Sequence, residues 1–216
     1  MKNYFEDENE YHAANAKEPG LNEDGADEGA EFDQNAQAQV YETFVREKNS
    51  ILNNIYDLVN FAAKLHEVEL DKIFSTEDQK KRSTELESKI KSDQDAWNIK
   101  NRVHIVLKKY QEQSSVLDTI LGDFIEPIMR FMQIYTKQAT KKGDHDVPRE
   151  VSQLFEVLYN LCSVRGYKTV VKFFPHEAAD MEPCVEMLHF QDGKEYWISC
   201  MLTLWLSLIV IVPFDI

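Results

Sequence analysis

From about Ala36 onward, apolar residues recur at spacings of three, four and seven. Val40, Phe44, Ile51, Ile55, Leu58, Val59, Ala62 and Leu65 trace one face of a long helix. Upstream, residues 1–35 combine acids with Asn and Ala. Tyr4, Phe5, Tyr11, Leu21 and Phe32 are too sparse there to bury one another, which predicts a disordered acidic tail over 1–35. Between Asp71 and Arg102 charges of both signs dominate. Apolar residues are few there, with Leu86, Ile90 and Trp97 able to hold a loose helix or a mobile arm, so 36–102 reads as an N-terminal helix followed by a charged, loosely ordered segment.

The helical spacing returns at Val103, Val106, Leu107 and Tyr110. It continues through Leu117, Leu121, Phe124, Ile128, Phe131 and Tyr135, with Pro127 expected to bend this stretch or mark a junction. Lys141–Asp144 reads as a loop, after which Asp146 can cap a helix carrying Pro148 in its first turn. That helix buries Val151, Leu154, Phe155, Leu158, Leu161 and Cys162, and Gly166 suits a left-handed stop. A short piece from Tyr167 to Phe174 ends at Pro175. Helices are expected from about His176 to Phe190 and from Lys194 to Val212. No useful length alternates with period two, so strands are not expected. Helix, short turn, helix in antiparallel pairs over 103–216 is the inventory of a repeat solenoid.

Charge narrows the partners. Of the net −14, residues 1–40 supply −9, leaving an ordinary, mildly acidic remainder. Such a balance repels phosphate backbones, so nucleic acid is excluded as a partner. Cys162, Cys184 and Cys200 lack metal-ligand spacing and read as free thiols in a reducing compartment. The first thirty residues show no secretory signal, which makes the cytosol the default location. There is no Walker motif, GxGxxG or GxSxG. His176 and Asp180 share a spacing that would place them on one helical face, but two ligands without a third make a poor zinc site. No catalytic residue, cofactor or metal is assigned, and an enzyme is not expected.

The run from Tyr196 to Val212 holds seventeen residues without a charge, near the lower limit for spanning a bilayer. Ser199, Thr203 and Ser207 repeat every fourth residue within it. That stripe suits an inner helix at a close crossing better than a lipid-facing one, and no basic cluster follows. A C-terminally anchored membrane protein with an acidic cytosolic domain is the alternative reading.

Lys109–Gln113 with Leu117–Asp118 (KYQEQ…LD) resembles a segment of the tubulin-specific chaperone D (tubulin-folding cofactor D) family. In the same order follow Val164–Lys168 (VRGYK), Phe174–Glu177 (FPHE), Ala179–Asp180 to Glu182–Pro183, Leu202 to Leu206–Ser207, and Pro213–Asp215. The resemblance covers about Lys109–Asp215. It implies an all-α HEAT/armadillo-like α-solenoid, of which 103–216 would be the first turns. Family members are several times longer, so the chain reads as truncated at its C-terminus, and a nonfunctional truncated product is a further alternative.

The resemblance also implies β-tubulin as partner during assembly and disassembly of the αβ-tubulin heterodimer. Tubulin-folding cofactors C and E and an ADP-ribosylation-factor-like small GTPase are implied as well, in the cytoplasm and at the microtubule cytoskeleton. GTP hydrolysis would belong to tubulin, stimulated within the cofactor complex. Arg165, Gly166, Tyr167, Lys168, Phe174, Pro175, His176 and Glu177 are the candidate partner-binding or motif residues. Arg165 and Lys168 either sit favourably at a helix C-terminus beside a capping Gly166 and a packed Tyr167, or form a basic spot for an acidic partner. Phe174 and Pro175 are expected to pack between repeats, and His176 to cap or pack at the turn after Pro175.

Overall fold

The computed structural model describes the backbone over 25–86, 88–144, 146–191, 193 and 195–211, with side chains from residue 37. Two compact units divide the chain, 1–36 and 37–216. The expected disorder of residues 1–24 lies outside the described residues. Helix α1 (Gly25–Leu65) already begins inside the segment read as a tail.

Every described element is helix or turn. The order is α1, α2 (Leu70–Ile73), α3 (Glu77–Glu85), α4 (Asp93–Lys109), α5 (Leu121–Lys142), α6 (Arg149–Arg165), α7 (Tyr167–Val170), α8 (Met181–His189) and α9 (Tyr196–Ile211). Short 3-10 turns cover Ser114–Ile120, Val171–Phe173 and Ala178–Asp180. Within 37–216, α6 is the central element, packed against α4 on one side and α9 on another, while α8 bridges α5 and α9. This is an all-α armadillo/HEAT-like solenoid arrangement, in which each helix buries its stripe on its neighbours.

The apolar spacing of α1 holds from Phe44 through Ala63. Phe44, Ile51, Ile55, Val59 and Ala62 are buried, but Leu65 is 51% exposed because the helix ends there and the chain turns away. The turn is made at Glu67, whose φ of 54° lies in the left-handed region.

The segment read as loosely ordered differs most from expectation. Ile73, Phe74, Ile90, Ala96 and Ile99 are all buried in it, and α4 runs through the boundary expected at 102/103. Side-chain caps start both of its longer helices: Thr76 accepts from the Gln79 amide, and Ser92 from the Asp95 amide. Arg82 reaches Asn49 and Asn53 of α1. Lys100, though charged, is buried with its ammonium 2.8 Å from both Glu156 oxygens. A handful of well-placed apolar positions and a few long-range polar ties thus order a segment whose composition looks soluble.

Other boundaries shift by local chemistry. Ser114–Ile120 is a 3-10 turn before α5, and α5 continues unbroken through the buried Pro127. Proline costs that helix one hydrogen bond, which eleven buried residues along its face outweigh. Pro148 is the N-cap of α6, and no side chain caps that end, so Asp146 does not play the role expected of it. His176 and Glu177 are not helical, since α8 starts at Met181 after the 3-10 turn.

Helix α9 turns Ile198, Met201, Leu202, Trp205 and Ile209 into protein. Thr203 and Ser207 face outward, the reverse of the inward stripe expected for them. Among the described residues no helix is long and apolar enough to cross a membrane, and the anchor alternative finds no support.

Candidate functional site

Helix α6 ends where Gly166 takes φ 93° and ψ 128°, a positive-φ conformation that a Cβ would strain. The left-handed helical stop expected there is absent, because Gly166 also opens the next short helix, α7. Arg165, the last residue of α6, folds back onto the 3-10 turn before α5. Its Nε donates to Asp118 Oδ1 at 2.5 Å and its Nη2 to Oδ2 at 2.7 Å. The two-pronged geometry matches a guanidinium to a carboxylate. Hydrogen bonds from Arg165 hold the Asp118 carboxyl below the usual carboxylate range, against a smaller opposing push from burial. The same pairing raises Arg165.

Two motifs that lie 47 residues apart in sequence are therefore one contact. Leu117, beside Asp118, is fully buried. Gly166 and Lys168 are exposed, and Tyr167 is 52% exposed, so Tyr167 does not pack as one of the two readings required.

The second motif splits by role. Phe174 is buried, and the Pro175 carbonyl accepts from Trp205 Nε1 at 2.7 Å, tying the segment to α9. His176 and Glu177 are exposed, so His176 does not pack after Pro175. Glu177 lies 3.7 Å from Lys137 of α5. Asp180, fully buried, receives Gln133 Nε2 at 2.7 Å and lies 2.6 Å from Lys137 Nζ. The common face imagined for His176 and Asp180 does not exist, since one side chain is in solvent and the other against α5. Among the described residues no group of three His, Cys, Asp or Glu could hold a metal ion.

A cleft of about 270 Å³ opens between α5 and the 171–177 segment. Phe174, Pro175 and Glu177 line it together with Phe173, Arg130 and Lys172, while residues 165–168 do not. The structure thus gathers Phe174, Pro175 and Glu177 at one cleft, leaves His176 exposed beside it, and places Arg165, Gly166, Tyr167 and Lys168 on the α6–α7 corner. Asp118, Lys137, Gln133 and Asp180 organise both places. No local pattern marks them, because their partners come from distant helices. Half-buried Cys162 and buried Cys184 are free thiols, and desolvation pushes both up to about 12, away from the reactive thiolate.

Helices stacked so that each buries its apolar stripe on its neighbours make this a repeat protein of the armadillo type. The family described as tubulin-specific chaperone D-like, ARM repeat, matches residues 107–216, half of the chain, and the chain belongs to it. Tubulin-specific chaperone D of Dictyostelium discoideum is 30% identical over 112 residues, which is 45% of this chain and 7% of that protein. The chain therefore spans a small fraction of that relative's length. No solved structure matches.

Proposed function

We propose that this chain is a tubulin-engaging part of a chaperone scaffold: a non-enzymatic module that binds β-tubulin during assembly and disassembly of the αβ heterodimer. The observation that carries this reading is the family match over 107–216, which contains both the Asp118–Arg165 contact and the Pro175–Trp205 tie. On this reading the work is done by shape and surface, and GTP and its hydrolysis remain with tubulin. Cofactors C and E and the ADP-ribosylation-factor-like GTPase belong to the larger cytoplasmic assembly, at the microtubule cytoskeleton. Within the chain, the exposed corner of Tyr167 and Lys168, next to the cleft edged by Arg130 and Lys172, is the surface we assign to the partner.

The test is retention of purified αβ-tubulin on the immobilised 216-residue chain, with helicity checked by circular dichroism. Tyr167→Ala combined with Lys168→Glu, both on the outside, should lower retention without altering the spectrum. A helical chain that retains no tubulin would sink direct binding. Unchanged retention by the double variant would move the contact elsewhere.

A further inference from the structure

One helix breaks the rule that the others follow. Among the described helices of eight or more residues, α3 alone carries no apolar side chain, and the two residues it buries are Gln79 and Ser83. A helix of nine residues is too short to hold itself in water, so its attachment to the body keeps it folded.

That attachment is polar. Gln79 Nε2 donates to Asp123 Oδ1 of α5 at 3.0 Å, and Gln79 Oε1 accepts from the Ser75 amide at 3.1 Å. Arg82 Nη1 donates to Asn53 Oδ1 of α1 at 3.2 Å and its Nη2 to Asn49 Oδ1 at 3.3 Å, with the guanidinium 5.9 Å from the centre of the Tyr56 ring. Ser83 Oγ donates to Asn60 Oδ1 at 2.9 Å, and Asn60 Nδ2 donates to the Ser83 carbonyl at 3.2 Å. The ion pairs Lys80–Glu77 and Lys81–Glu85 lie within the helix and add nothing to its hold on α1.

The chain on either side of α3 is fixed. Before it, Ile73 and Phe74 are buried, and the Phe74 ring lies 5.0 Å from that of Tyr56. After it, buried Asp57 accepts from Ser88 Oγ at 2.6 Å and from the Lys89 amide at 2.9 Å, and Ile90 is buried. Helix α3 is therefore a polar span between two anchors.

Water reaches its inner side. A cleft of about 600 Å³ follows the seam with α1, lined by Asn49, Asn53, Tyr56, Gln79, Arg82 and Asp123. Each tie there can be exchanged for one to water at small net cost, whereas releasing α1 or α6 would expose hydrocarbon. Segments that open locally are those with few buried apolar contacts. We infer that α3 is a strap that lifts off α1 as one unit while the core stays closed. Lifting it bares the Tyr56 face beneath Arg82, together with Asn49 and Asn53, and leaves Phe74 and Ile90 in place. The strap lies outside 107–216, and its opening is independent of the tubulin surface.

The test is native-state hydrogen exchange of the 216-residue chain, followed amide by amide by NMR in increasing sub-denaturing urea. The amides of Lys80 to Glu85 should share one protection factor that is insensitive to urea. It should lie ~100-fold or more below those of Ile51–Ala63 in α1 and Val151–Leu161 in α6. Arg82→Met keeps the hydrocarbon stem and removes the donors, and should speed exchange in α3 ~10-fold while leaving α6 unchanged. Protection in α3 that equals that of α1 and falls with urea in step with it would tie the strap to global unfolding and overturn the proposal. Protection graded inward from the ends of α3 would be simple fraying and overturns it too. So does Arg82→Met acting equally on α3 and α6, or on neither.

Discussion

Lys137→Met isolates the contact that fastens the 177–180 segment to α5. Asp180 is fully buried, and its neighbours are Gln133 Nε2 at 2.7 Å and Lys137 Nζ at 2.6 Å. Removing the lysine keeps the hydrocarbon stem but leaves a buried carboxylate with one amide donor. Breaking a buried pair from one side costs about 3–5 kcal/mol, because the remaining charge stays out of water. Lys137 is 34% exposed and also faces Glu177, so solvent compensates part of the loss and about 3 kcal/mol is expected.

Asp180→Asn preserves an acceptor for Gln133 and frees Lys137 to reach water, which should cost about 1–2 kcal/mol. The double variant should then lose less than the two single losses together, with a coupling of about 1–3 kcal/mol. Urea unfolding followed by circular dichroism, compared at constant slope, reads all four corners of the cycle. Additive losses, or a cost below about 1 kcal/mol for Lys137→Met, would refute the claim that this ion pair anchors the motif segment.

Two further outcomes follow from the same surface. Gly166→Ala meets no atom within 4 Å, so its cost is purely that of holding alanine at φ 93°, about 1–3 kcal/mol, read by the same unfolding assay. The Asp118–Arg165 pair should contribute stability above the unfolded carboxylate pKa of about 3.9 and lose it as pH falls through the lower folded value. Because both side chains are partly exposed, that contribution is at most about 1 kcal/mol. The difference in thermal midpoint between the unaltered chain and Arg165→Gln should therefore shrink below about pH 4. A difference that grows in acid would contradict the pairing.

The helices were legible because a helix is written locally. Phe44, Ile51, Ile55 and Val59 announce α1 by spacing alone, and Val151 through Leu161 announce α6. The misreadings share one cause. Ile73, Phe74 and Ile99 are too few to form a periodic signal, yet each is buried because distant helices converge on it. Thr203 and Ser207 form a visible stripe, but which side of α9 meets protein depends on where α6 and α8 lie. Leu65 continues the apolar face of α1 in sequence and is left half open by the turn that follows it.

Of the candidate site, the motifs themselves stood out, and with them the family. Their roles did not. Nothing near Arg165 names Asp118 as its partner, and nothing near Pro175 names Trp205, thirty residues on. Periodicity, capping and proline placement are properties of neighbouring residues, so the chain alone determines that it is a run of helices with breaks near Gly143, Gly166 and Pro175. Which side chains meet is set by the angles at which those helices cross. Packing alone therefore decided that Phe174 is held inside, that Tyr167 and His176 face solvent, and that α3 is tied to α1 by polar side chains.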